Sequence, residues 1–213
     1  MGKIHFISYA NNEFSPRRDK LIRACGDVDW FDSCSIYSDL NLSSGFKKQY
    51  KDILEYNTAG CWLWKSEILC NKLQEIDDGD IIIYADAGCT LNLIPDSKKT
   101  FDRYIDICNN HDMLRFELEH PEWKYTNTKT FKFFKDKYQL KKEHVMSNQL
   151  VGGILGIKKT QTVIDFFNLF FDIIDDDHNL ITSKYDELEC HPKFVAHRHD
   201  QSILSLLSKV TNI

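Results

Sequence analysis

The chain alternates short apolar runs with segments of helical periodicity. Lys3–Tyr9 (KIHFISY) is short, apolar and β-prone, and predicts a strand. Asn11–Ser15 reads as a polar loop, and Pro16 fits the start of a helix that stops near Gly26. Val28–Tyr37 is a second strand region. A Ser43 or Ser44 cap predicts a helix to about Tyr56, and Trp62–Ile76 has helical periodicity. Asp78-Gly79-Asp80 is a turn that opens onto Ile81–Ala85 (IIIYA), an unbroken apolar run. Such a run, bounded by turn residues, suits a strand buried on both faces. Ser97–Asn110 predicts a helix, Met113–Leu118 a strand, and Gln149–Ile157 a glycine-bearing strand. Helices follow from Thr160 to about Ile174 and from Asp200 to Leu207.

Strands alternating with helices predict an α/β fold with a mostly parallel sheet. The 213 residues suggest a single domain, 1–213. In open α/β sheets ligands sit outside the carboxyl ends of the strands, so the residues after Tyr9, Ala85 and Gly152-Gly153 become candidates.

Composition narrows the function classes. A net charge of −5 argues against a dedicated nucleic-acid binder, whose footprint is basic. The longest apolar stretch, Val163–Ile174, is broken by Asp165, Asn168 and Asp172, which excludes a spanning helix there. The N-terminus lacks the apolar core of a signal peptide. Seven cysteines with no C-x-x-C spacing argue against a zinc ribbon and for reduced thiols in a cytoplasmic compartment.

Asp86 is the first chemical candidate. It directly follows the most buried-looking strand, which would fix its carboxylate at the sheet edge as a hard oxygen ligand for Mg²⁺ or Mn²⁺. An aspartate that merely opens a polar turn has the same signature. Lys65, after Trp62 and Trp64, is a mobile charge suited to a diphosphate or to a solvated helix face. The two tryptophans read first as core and second as a sugar platform. Asp200 stands at a helix N-terminus, where a carboxylate also serves as a cap. Gly152-Gly153 permits close backbone approach, either to a ligand or to a packed helix. Lys124–Lys142 holds seven lysines and one acid, Asp136. It reads as a solvated face that can also touch an anionic acceptor. Glu119, His120, Glu122 and Trp123 would line that side, and Asp175-Asp176-Asp177-His178 reads as a solvated turn.

Cys61-Trp62-Leu63-Trp64-Lys65 followed by Asp78–Gly88 (DGDIIIYADAG) resembles small glycosyltransferases of the GT-A fold, including those that large algal viruses use on capsid glycoprotein. The resemblance spans most of the chain and implies a GT-A-like, Rossmann-like sheet flanked by helices. It implies hexosyl transfer from a nucleotide-sugar, UDP by default, to a glycan or glycoprotein hydroxyl. Asp86, Ala87 and Gly88 would then stand at the family's D-x-D motif, with Gly88 replacing the second acid. Ser8, Tyr9, Ala10, Arg17 and Lys65 would bind the donor. Gln149, Gly152, Gly153 and His197 would face donor sugar or acceptor. Asp86 and His199 would hold Mn²⁺ or Mg²⁺, and Asp200 would be the general base of an inverting reaction. Two alternatives stand beside it. One is a non-catalytic nucleotide- or glycan-binding module. The other is a haloacid-dehalogenase-type phosphatase, which Asp86–Thr90 (DAGCT) resembles except for the acid missing at Gly88.

Overall fold

Ile81–Ala85 forms β3, the middle strand of a five-stranded sheet in the order β2-β1-β3-β5-β4. The computed structural model describes residues 2–11, 15–91 and 94–213; residues 12–14 of the expected loop lie outside them. The other strands are β1 (Ile4–Tyr9), β2 (Ser33–Tyr37), β4 (Met113–Pro121) and β5 (Asn148–Lys158). The helices are α1 (Ser15–Gly26), α2 (Ser44–Gln49), α3 (Lys51–Leu54), α4 (Trp64–Glu75), α5 (Ser97–His111), α6 (Glu122–Tyr125), α7 (Thr128–Tyr138), α8 (Lys142–Met146), α9 (Gln161–Asp176) and α10 (His199–Thr211). The fold class is α/β, as the alternation of apolar runs and helical periods predicts.

Strand direction departs from expectation. β1 pairs in parallel with both β2 and β3, but β5 lies antiparallel on β3, with Ile83 opposite Gly156 and Ala85 opposite Ile154. The sheet is therefore mixed and not mostly parallel. Two-sided burial explains the unbroken IIIYA run, and it is satisfied by either direction of neighbour.

Two other expectations change locally. The helix anticipated from Ser44 to Tyr56 breaks at Tyr50 into α2 and α3. The helix anticipated from Trp62 begins at Trp64, because Gly60, Cys61 and Trp62 all take left-handed backbone (φ +56°, +50° and +57°). The Asn57 side chain accepts the backbone N–H groups of Ala59 and Cys61 (3.0 and 3.1 Å), a local turn that competes with helix. Two non-glycine residues in this region store about 1–2 kcal/mol each.

Contacts group the chain into two compact units. The first comprises 1–48, 65–115 and 153–164; the second comprises 49–64, 116–152 and 165–213. In the first, Phe6, Leu21, Cys25 and Ala85 pack between sheet and α1, and Phe31 rests on Phe6 and Phe101. In the second, the lysine-rich stretch forms α7 and is matched by acids: Lys129 pairs with Asp177 (2.6 Å), Lys132 with Glu189 (2.8 Å) and Lys137 with Asp176 (2.5 Å). Asp175 accepts from the Tyr50 hydroxyl at 2.8 Å. Lys129 and Lys137 thus pair with the acidic run and Lys132 with Glu189, on a face and a turn that stay solvated as expected. Among the described residues no helix is long and apolar enough to cross a membrane.

Candidate functional site

In the first unit, β3 delivers Asp86 at its carboxyl end, and the backbone N–H of Asp86 bonds Gly153 O on β5 (2.8 Å). Residues i and i+2 of a strand share a face, so the Tyr84 hydroxyl reaches Asp86 Oδ1 and donates to it. Lys65, in the first turn of α4, is buried, with Nζ 3.7 Å from Asp86 Oδ1 and 5.5 Å from the Tyr84 ring centroid. Its burial excludes the solvated-face reading of Lys65. The Asp86 side chain keeps 37% of its exposure. A buried ammonium thus borders an accessible carboxylate.

The glycines around this point have separable reasons. A Cβ on Gly153 would lie 2.7 Å from Asp86 Oδ2, so only glycine leaves room for that carboxylate. A Cβ on Gly88 would stand 3.1 Å from Arg17 Nη1, which places the exposed Arg17 of α1 beside the D-A-G turn. Gly153→Ala is expected to displace the Asp86 carboxylate while the fold survives, because overpacking of this kind costs about 1–3 kcal/mol. Loss of ligand-dependent stabilisation, with only a modest fall in the melting temperature of the unliganded protein, is the expected reading.

The end of β1 contributes less than anticipated. The Ser8 hydroxyl is buried without a hydrogen-bond partner among the described residues. Burial, with the Asp39 carboxylate second, pushes the Tyr9 phenol up to about 12. Ala10 and Ala87 sit in the apolar core. Ala10 and Ala87 therefore act by packing, and only their backbone remains for a ligand.

In the second unit, Asp200 lies in the first turn of α10 and is 3% exposed. His199 opens the helix in left-handed backbone (φ +47°). Its Nδ1 donates to Ile181 O (2.8 Å), and its ring packs on the Trp62 indole with centroids 5.6 Å apart. Trp62 is 36% exposed, whereas Trp64 is bonded through Nε1 to Ala59 O (3.0 Å). Burial, then the Asp200 charge, pushes the Cys61 thiol up to about 12. Strained backbone, an open indole, an imidazole and a carboxylate thus gather at this end of α10.

His197 and Gln149 are placed differently from expectation. His197 is buried; its Nε2 donates to Leu180 O (2.9 Å) and its Nδ1 accepts from the Asn127 N–H (3.4 Å). Both ring nitrogens are engaged, which leaves neither for sugar or metal. Burial, then the neighbouring His199, holds the imidazole down at about 3 against an ordinary 6.5. Between those values the unfolded chain binds the extra proton, so stability rises with pH and is lost as pH falls. Unfolding free energies from urea titrations should drop by up to about 1.4 kcal/mol per pH unit below 6.5, and His197→Gln should flatten that slope between pH 6.5 and 5.

Gln149 is fully buried. Its Nε2 donates to Glu122 Oε2 (3.2 Å), and its Oε1 accepts from Gln201 (2.7 Å) and Arg198 (3.4 Å). It orders β5 against α10 and does not read hydroxyls. Gly152 serves the same contact, since a Cβ there would meet Gln201 Cβ at 3.0 Å.

Glu122 was expected to face an acceptor and is instead the hub of this network, with no exposure. It accepts from Ser205, Lys209 Nζ (2.8 Å) and Thr126 (2.9 Å). The signal for it lies in α10, where Ser202, Ser205 and Ser208 recur at three-residue spacing beside Lys209. That is a polar stripe on an otherwise apolar helix. Tyr84 was equally legible through its i, i+2 relation to Asp86.

No group of three or more His, Cys, Asp or Glu side chains among the described residues is arranged to hold a metal ion. Asp86 Oδ2 offers one hard oxygen. One carboxylate suffices for Mg²⁺ or Mn²⁺ when substrate phosphates and water supply the remaining ligands. Comparison of the chain with family models, with curated proteins and with solved structures gave no match.

Proposed function

We propose that the chain is a GT-A-like, metal-assisted glycosyltransferase that moves a hexosyl group from a nucleotide-sugar to a glycan or glycoprotein hydroxyl. One observation carries the reading: the accessible Asp86 carboxylate at the end of the buried central strand, bonded by Tyr84 and bordered by buried Lys65. A carboxylate beside a fixed ammonium is ill suited to bind a lone cation tightly and well suited to share one with a diphosphate. The bound ion, Mn²⁺ or Mg²⁺, would draw charge from the departing phosphate oxygen.

The chain's own groups take the following roles. Lys65 holds the diphosphate electrostatically and stabilises the negative charge it gains as the glycosidic C–O bond breaks. Arg17, next to Gly88, meets the same phosphates. Tyr84 orients the Asp86 carboxylate, and Gly153 keeps space for it. Within the second unit, Trp62 and His199 offer an aromatic surface to a sugar ring, and Asp200 is the carboxylate assigned as base for an acceptor hydroxyl. Inversion at the anomeric carbon follows if attack is direct.

The test is a set of thermal melts against nucleoside diphosphates and nucleotide-sugars, each with and without Mn²⁺. At a hundred times its Kd a ligand stabilises the native state by about 2.7 kcal/mol. The expected result is that one nucleotide, UDP first among them, raises the melt in the presence of Mn²⁺, while Mn²⁺ alone does little. No shift with any nucleotide would sink the reading. Binding without sugar transfer to any acceptor would favour a non-catalytic binding module, and hydrolysis of a simple phosphate ester without nucleotide would favour a phosphatase.

A further inference from the structure

His5, Ser33 and Asp80 meet at the amino ends of three neighbouring strands of the first unit, away from the site described above. His5 is the second residue of β1, Ser33 opens β2 and Asp80 directly precedes β3. His5 and Ser33 are paired in register in the parallel ladder, so their side chains share a face of the sheet. His5 Nδ1 lies 2.8 Å from Ser33 Oγ, and His5 Nε2 lies 3.0 Å from Asp80 Oδ2. Asp80 is fixed in turn by the Lys3 N–H on Oδ1 (2.7 Å) and the Asp77 N–H on Oδ2 (3.2 Å). His5 and Asp80 are buried, at 8% and 5% exposure, and Ser33 is half-buried on the edge strand. Asp86 stands at the other end of β3, about 20 Å along the strand.

The bonding fixes where the imidazole carries its proton. A carboxylate only accepts, so Nε2 holds the hydrogen and Nδ1 is left bare to accept from the Ser33 hydroxyl. Burial opposes ionisation of Asp80, but the hydrogen bonds from His5, Lys3 and Asp77 outweigh it and hold the carboxyl below its ordinary range. Nucleophile, base and orienting carboxylate thus stand in series, the relation that activates a serine hydroxyl on unrelated folds. We propose that Ser33, His5 and Asp80 form a second, hydrolytic site, which cleaves small neutral carboxylic esters through an acyl-Ser33 intermediate. A neutral substrate fits because Asp32, exposed and adjacent to Ser33, and the Asp80 carboxylate repel an anion.

In the first step Ser33 Oγ attacks the ester carbonyl carbon and its proton passes to His5 Nδ1. The bond from carbonyl carbon to alcohol oxygen then breaks, and the departing alcohol takes the proton from His5. In the second step water attacks the acyl-Ser33 carbonyl and gives a proton to His5 Nδ1. The acyl–Ser33 bond breaks, Ser33 Oγ takes that proton back, and the carboxylic acid leaves. The sum is one ester and one water converted to one acid and one alcohol, with the protein unchanged. Asp80 is a positioning residue: it holds the imidazole in the tautomer that can accept, and it balances the imidazolium that forms.

The test treats the full-length protein with a fluorophosphonate, which phosphonylates activated serines, locates the adduct by peptide mass spectrometry, and follows hydrolysis of p-nitrophenyl acetate. The adduct should sit on Ser33. Ser33→Ala should lose both the adduct and all ester hydrolysis above the uncatalysed background, while its melting temperature stays close to that of the wild type. His5→Gln should slow labelling of the retained Ser33 by about a hundredfold, the usual worth of a positioned base. Asp80→Asn should slow labelling at neutral pH and regain part of the rate in alkaline solution, where hydroxide takes the Ser33 proton; a loss caused by misfolding would not return. A folded wild-type protein without an adduct on Ser33, or Ser33→Ala that hydrolyses the ester as fast as the wild type, would overturn the proposal.

Discussion

On the proposed glycosyl transfer, Asp86→Asn is expected to lower the rate by about two to three orders of magnitude, the usual effect of deleting one preorganised electrostatic contact in an active site. The amide keeps the size of the carboxylate and still accepts from the Tyr84 hydroxyl, so the turn after β3 should stay in place. What it loses is the anionic oxygen on the Gly153 side, the one atom there that can share a divalent ion with phosphates. The melting temperature without ligand should move little, because the side chain is 37% exposed. The Mn²⁺-dependent part of the nucleotide shift should vanish, while a weaker metal-free shift carried by Lys65 and Arg17 should persist. Unchanged turnover with a normal nucleotide shift would remove Asp86 from the mechanism. Tyr84→Phe should have the same sign and a smaller size, since it frees the carboxylate to rotate without discharging it.

Glu122→Ala should be the most destabilising of the changes considered, by about 3–5 kcal/mol. Glu122 has no exposure and accepts from Ser205, Lys209, Thr126 and Gln149. Truncation leaves the ammonium of Lys209, whose side chain is 12% exposed, without its carboxylate, and strips acceptors from three buried donors. At about 2–4 °C per kcal/mol for a protein of this size, the melting temperature should fall by about 10 °C. Lys209→Met in the Glu122→Ala background should restore part of the loss, because the buried Lys209 charge, left without its carboxylate, causes much of it. A double-mutant cycle reads that coupling directly. If the two single effects simply add, the ion pair is not the source of stability.

How much of this was readable from sequence depends on whether the signal was local. The IIIYA run announced a buried strand, because two-sided burial removes the polar alternation that a half-exposed strand would show. The position of Asp86 after it followed at once. The direction of β5 did not, since an apolar strand looks the same whichever way its neighbour runs. Gln149 and Glu122 were misread for a related reason. Each looks like a surface polar residue until its partners, many positions away, are known. Gly152 and Gly153 were legible as sites of close approach, but which atom approaches each, Gln201 or Asp86, is a tertiary fact. Trp62 carries helical periodicity in the sequence, but the turn that Asn57 makes five residues earlier competes with helix there.

The central position of β3 also governs how the chain can be assembled. Its two neighbours come from residues 4–9 and 148–158, so one edge is closed by chain already made and the other by chain still to come. A chain emerging from the ribosome reaches residue 85 long before residue 154. Throughout that interval Ile81–Ala85 offers an unfilled row of backbone donors and acceptors on an apolar strand. Pairings this distant in sequence form slowly, and the waiting edge is open to a second nascent copy. Lower temperature during synthesis or an occupied chaperone at that stage should therefore decide the soluble yield more than the stability of the finished fold does.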